Sequence, residues 1–243
     1  MLKKKGLLFA TVIACTFATG CKVRLGGAKP EGYNAVGLKA PAGASATDVA
    51  TRIRSAEGDL VLISADRDSA WFAEVATQAG LKLNGPGHTG AMRQAFLTRL
   101  EVLGDTALMI NVNNGGRLHV QDALFKVDKE RNIDLMLVSF AEVTSVREGV
   151  RALLNYIATD VGGTSALVLG IESPSRAVAD SSAVLLRAAF TNALECDDRR
   201  IDAPAGGLGM ILFYGPEARL TCSGARVQAG DPNAVVARVV VGR

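Results

Sequence analysis

Hydrophobic positions follow two rhythms along the chain. Val49, Ile53 and Ala56 fall on one side of a short helix that Thr47 caps and Gly58 ends. Leu60 to Ile63 is a continuous apolar run of the kind found in buried strands. Asp68 or Ser69 caps a second helix, in which Trp71, Phe72, Val75, Ala76 and Ala79 share a face before Gly80 stops it. The spacing of Met92, Phe96, Leu97, Leu100 and Leu103 predicts a further helix, opened by Thr89 and closed by Gly104.

A β-meander is expected next. Ala107 to Val112 is apolar, Asn113 to Gly116 tolerates positive φ, and Arg117 to Val127 returns with a change of phase that predicts a bulge near Gln121 and Asp122. Ile133 to Val143 is apolar on both faces, which marks a central strand. Ser145 and Glu148 have capping-box spacing ahead of a helix through Ile157. A second strand-to-helix unit runs from Ala166 through a Ser173-Pro174 cap to about Leu194. Three short strands, Met210–Tyr214, Arg219–Cys222 and Val235–Val241, end the chain. The pattern predicts an α+β fold: an antiparallel meander packed on helices, a second strand-helix unit and a β-rich tail. Residues 46–160 would form one domain and 161–243 the second unit, with 21–45, rich in Gly, Ala, Pro and Lys, as a flexible tether.

Composition fits a chain with a sizeable core: 243 residues, 49% apolar and 21% charged. Of the 27 basic residues, Lys3, Lys4 and Lys5 lie in the first twenty positions, which hold no acidic residue, so residues 21–243 carry 24 basic and 24 acidic side chains. A balanced body argues against an electrostatic nucleic-acid footprint, and no nucleic-acid partner is expected.

The three lysines precede an apolar stretch of eleven residues, Leu7 to Phe17, too short for a spanning helix, which needs ~20. Residues 1–20 therefore read as a signal peptide. Ala18-Thr19-Gly20-Cys21 resembles the lipobox of bacterial lipoproteins, although the family usually has Leu, Val or Ile where Ala18 stands. The resemblance implies acylation of Cys21, a membrane partner through that lipid anchor, and an outer-membrane protein facing the periplasm. Ordinary secretion to the periplasm, with cleavage at the same bond, is the alternative. Lipidation would leave Cys196 and Cys222 as an even pair, expected to form a disulfide that clamps the tail to the preceding helix.

Chemistry-bearing patterns are sparse. Asn84-Gly85-Pro86-Gly87-His88-Thr89-Gly90 is a glycine-rich loop that suggests an anion-binding turn at His88 and Thr89, but it lacks a P-loop ending. Asp66 to Ser69 and Glu172 to Ser175 follow strands and read first as helix caps, while His119, alternating with Arg117 and Gln121, reads as a solvated strand residue. No motif assigns a metal or other cofactor.

The stretch "LEVLGDTALMINV" and "RLHVQDALFKVDKERNIDLMLVSF", followed by a capped helix, resembles small periplasmic lipoprotein domains of the curli-secretion, Tol N-terminal and penicillin-binding-protein-activator type. That resemblance implies a non-enzymatic, membrane-anchored assembly component that binds an envelope protein or its own copies. A periplasmic hydrolase or small-ligand-binding protein, using loops near Asp66, His88 and Glu172, is the competing expectation.

Overall fold

The apolar runs sort into two stacked sheets in the computed structural model, which describes residues 32–89, 92–113, 116–161, 166–192, 210–214, 220–227 and 234–242. Sheet I contains β1 (Gly32–Lys39), β2 (Leu60–Ala65), β3 (Lys82–Thr89), β4 (Met92–Thr98), β11 (Leu220–Val227) and β12 (Ala234–Val241), in the order β11-β12-β1-β2-β4-β3. Sheet II contains β5 (Glu101–Val112), β6 (Gly116–Lys126), β7 (Asn132–Glu142), β8 (Ala166–Glu172), β9 (Thr191–Asn192) and β10 (Met210–Tyr214), in the order β5-β6-β7-β8-β10-β9. Among the described residues each sheet has one parallel pair: β1 beside β2, with Val36 opposite Val61, and β7 beside β8, with Leu137 opposite Gly170.

A parallel pair needs a long crossover, and a helix supplies it in both sheets. Helix α1 (Ala46–Ser55) links β1 to β2, and α3 (Val146–Tyr156), extended by a π-helical turn Ile157–Val161, precedes β8. Helices α1 and α2 (Ser69–Ala79) pack Val49, Ile53, Phe72 and Val75 against Val36, Val61 and Ile63 on one face of sheet I. Its other face meets sheet II through Leu60, Leu62 and Phe96 against Phe125, Leu135 and Leu137. The Phe96 and Phe125 rings lie 6.1 Å apart, edge to face. Gly170 lets the sheets close: a Cβ there would stand 2.9 Å from Leu137 Cδ1 and 3.0 Å from Leu62 Cδ2. Beyond β8, α4 (Arg176–Leu186) buries Ala179 and Leu186.

The α+β class, the meander β5-β6-β7 and the central position of β7 agree with the expected pattern. Several local expectations are corrected. The helix expected from Thr89 to Gly104 is instead the end of β3, all of β4 and the start of β5. Strand β4 is buried on both faces, Ala95 and Leu97 toward the helices and Phe96 toward sheet II, so its apolar residues show no period of two. The expected tether contains β1, hydrogen-bonded between β12 and β2 with Ala35 to Leu38 buried. No boundary separates 46–160 from 161–243, because β8 joins β7 and β12 joins β1, and residues 31–243 form one unit. Ser45, not Thr47, caps α1, and Ser175, not Ser173, caps α4, which ends at Leu186. In the meander the register shifts at Val102/Gly104 and Arg117/His119, not near Gln121 and Asp122 where a bulge was expected.

Candidate active site at the open end of the sandwich

Strand alternation assigns the faces here. The residues that share the inner face with Leu62, Phe96, Phe125 and Leu137 are, toward the carboxyl ends of β1, β2, β7 and β8, Lys39, Ser64, Gln94, Gln121, His119, Ser139 and Glu172. The apolar core thus changes into a polar layer at one end of the sandwich. Ser64, Gln94, His119, Gln121, Ser139 and Glu172 are all buried. Among the described residues, Ser64 Oγ, both amide atoms of Gln94, Gln121 Oε1, His119 Nδ1 and Glu172 Oε2 have no hydrogen-bond partner. An unsatisfied buried polar group costs ~1–3 kcal/mol, so such atoms gathered at one place mark where bound solvent or a ligand supplies the partners.

One ion pair and one histidine–carboxylate contact frame this layer. Lys39 Nζ stands 3.1 Å from Glu172 Oε1 and donates to the Ser173 carbonyl at 3.5 Å. On the sheet II side, His119 Nε2 stands 3.2 Å from Glu142 Oε1, a close approach without hydrogen-bond alignment. Each pair has a buried member and one that reaches solvent: the side chains of Glu172 and His119 are 2% and 5% exposed, those of Lys39 and Glu142 27% and 45%. The buried partners therefore orient charges presented at the mouth. Glu172, Ser139 and His119 lie on one rung across β8, β7 and β6, and the ~4.8 Å strand spacing puts the outer two backbones ~10 Å apart. Among the described residues no three His, Cys, Asp or Glu side chains gather as a metal-binding group.

The segments singled out from the sequence converge here in part. Glu172 enters the buried layer. Asp66 is exposed at the end of β2, Asp68 Oδ1 accepts the Trp71 N–H at 2.9 Å as the cap of α2, and Arg67 Nη2 donates to the Ala44 carbonyl at 3.4 Å, tying two loops of this end together. The backbone of His88 and Thr89 closes β3 at the same end, opposite Arg93 and Met92, on an edge strand and not before a helix. His119 is buried and not solvated. Cys21 and Cys196 lie outside the described residues, while the Cys222 backbone stands in β11 opposite Val239. Sequence reading passed over Lys39, Gln94, Gln121, Ser139 and Glu142. Their one signal is a polar residue ending or interrupting an apolar strand, as in "LVLIS" and "DLMLVS".

On the other face of sheet II, Asp134 lies beside Asp122, whose Oδ2 accepts the Tyr156 hydroxyl at 3.2 Å. Burial first, and then the Asp122 carboxylate, raise the Asp134 pKa to about 9. Burial and Asp122 push the Tyr156 phenol above its usual range as well.

No family model and no curated protein matches the sequence. Solved structures do share its fold, that of endonuclease/exonuclease/phosphatase proteins. One from Bacteroides vulgatus matches with a TM-score of 0.66 and 15% identity over 86% of this chain and 99% of that one. The human Nocturnin catalytic domain, solved with a bound sulfate anion, gives 0.61 and 11% over 88% and 96%. TDP2 of D. rerio, complexed with single strand DNA product, gives 0.62 and 9% over 86% and 98%.

These matches overturn the resemblance to curli-secretion, Tol and penicillin-binding-protein-activator domains, and with it the expected non-enzymatic envelope-assembly role. That resemblance rested on hydrophobic patterns, and the helix expected ahead of "LEVLGDTALMINV" is the end of β3, all of β4 and the start of β5. The exclusion of a nucleic-acid partner also loses its basis, since a protein of this fold holds single-stranded DNA. Net charge averages over a whole surface, whereas binding depends on the charges at one site.

Proposed function

We propose that this protein is a hydrolase of phosphate esters, acting at the polar end of the sandwich. The observation that carries the reading is the paired arrangement at the mouth: a cation, Lys39, and a carboxylate, Glu142, each held from behind by a buried partner. Lys39 Nζ meets the anionic phosphoryl oxygens, with Glu172 fixing its position. Glu142 accepts a proton from water as the water oxygen bonds to phosphorus and the ester P–O bond breaks; the leaving oxygen takes a proton from solvent, and Glu142 returns its proton to solvent afterwards. His119 orients Glu142, and their imperfect alignment in the free protein fits a contact that tightens when substrate binds. Ser64, Gln94 and Gln121 supply hydrogen-bonding groups without a partner in the free protein. Fold likeness to nucleases and phosphatases is the supporting analogy.

The test is a panel of phosphomonoesters, phosphodiesters and single-stranded DNA, assayed with magnesium and with a chelator. Glu142→Gln should lower kcat by ~10²-fold, and Lys39→Ala should chiefly raise KM. Absence of turnover of every substrate by the wild-type protein would reject the reading. Binding without turnover is the second reading, favoured by Glu172 already countering the Lys39 charge. Saturable binding of a non-hydrolysable phosphonate, together with no turnover, would select it.

A further inference from the structure

The polar rung continues past His119 onto the edge strand of sheet II. In β5, which among the described residues pairs with β6 alone, Met109 stands directly opposite His119, Ala107 opposite Gln121, and Asn111 opposite Arg117. Paired residues share a face, so Met109, Ala107 and Asn111 lie on the inner face together with the buried layer. They are nevertheless exposed. Met109 is 58% exposed, although its rung partner His119 is buried. Arg117, opposite both Asn111 and Glu142, adds a cation at the same mouth. Strand β3 approaches from sheet I where Gly85 lies over Asp105 and Gln121. One rung thus carries Met109, His119, Ser139 and Glu172 in line, an apolar thioether at one end and the Lys39-bound carboxylate at the other.

We infer that Met109, with Ala107 beside it, is a binding shelf for a flat aromatic group of the ester whose phosphate lies between Lys39 and Glu142. The inference rests on the phosphate-ester reading of the site. A thioether is polarizable and conforms to ring faces and edges, and neighbouring strands ~4.8 Å apart set the shelf one strand spacing from His119. The cations Lys39 and Arg117 complement the anionic end of such a ligand, and Met109 and Ala107 its apolar end. Aryl or nucleoside phosphates fit this division, whereas small alkyl phosphates leave the shelf uncovered.

Calorimetric titration of the whole chain with naphthylmethylphosphonate and with methylphosphonate tests the shelf without requiring turnover. Wild-type protein should bind the aromatic compound at least ~10-fold more tightly, and Met109→Ser should bring that ratio close to one. Val184→Ser, at an exposed apolar residue of α4, should leave the ratio unchanged. Equal wild-type affinities, or a ratio that survives Met109→Ser, overturn the shelf while the phosphate site stands. Failure of both phosphonates to bind overturns the site and the shelf together.

Discussion

Replacing Asp134 by Asn should stabilise the protein at neutral and alkaline pH and do little in acid. Asp134 is buried on β7 beside Asp122, and its folded pKa of about 9 compares with ~3.9 for an unfolded chain. A raised folded pKa means that the folded chain keeps a proton which the unfolded chain releases. The associated stability is complete below pH ~4 and is lost as pH rises toward about 9. Each pH unit in that window is worth ~1.4 kcal/mol, so between pH 4 and pH 7 the loss reaches ~4 kcal/mol as an upper figure. Local relaxation reduces it, and ~1–3 kcal/mol is the expected gain for Asp134→Asn at pH 8. Asparagine is nearly isosteric, stays neutral and has an N–H to donate to Asp122. Urea denaturation of both proteins at pH 4, 6 and 8, with matched m-values, measures the difference directly. Stability curves that run parallel across this range would refute the raised pKa of Asp134.

Other expected outcomes concern packing and covalent structure. Gly85 has φ of +46°, and a Cβ there would lie 2.8 Å from Asp105 Oδ2 and 2.9 Å from Gln121 Nε2. Gly85→Ala should therefore cost ~1–2 kcal/mol in a thermal melt and shift any ligand affinity that depends on Gln121. Gly170→Ala, crowded by Leu62 and Leu137 between the sheets, should cost ~1–3 kcal/mol, and an unchanged melting temperature would contradict this sheet spacing. Cys196 and Cys222, 26 positions apart, are proposed to form a disulfide contributing ~3 kcal/mol. A non-reducing peptide map with both thiols free would reject it.

Local order was legible in the sequence at α2 and α3, whose caps were read correctly, but not at α1 and α4, which Ser45 and Ser175 cap. Asp68 and Gly80 bracket α2 as their chemistry demands: the aspartate accepts the Trp71 N–H, and the glycine takes φ of +71°. Ser145 likewise caps α3, and the apolar runs that begin at Leu60 and Ile133 form strands, buried over 60–65 and 133–140. Where a segment is buried on both faces, periodicity carries no information, and β4 consequently matched a helical template. Strand β1 was missed because "GYNAVGLK" is interrupted by glycine and polar residues, and its stability comes from the neighbours β12 and β2.

The candidate site was legible only as isolated polar residues. Glu172 was noticed as the flank of a helix cap, His119 was placed in solvent, and Lys39 and Glu142 stood out only as polar residues at the ends of strands. The sequence by itself determined the caps of α2 and α3, the turns and which runs are apolar, because those depend on neighbours a few positions away. Tertiary structure alone decided that β1, β2, β7 and β8 end together and that alternation aims Ser64, Gln94, His119 and Glu172 into one gap. The pairing of residues as distant as Lys39 and Glu172 depends on how two sheets stack, and that is set by the whole core rather than by any local segment.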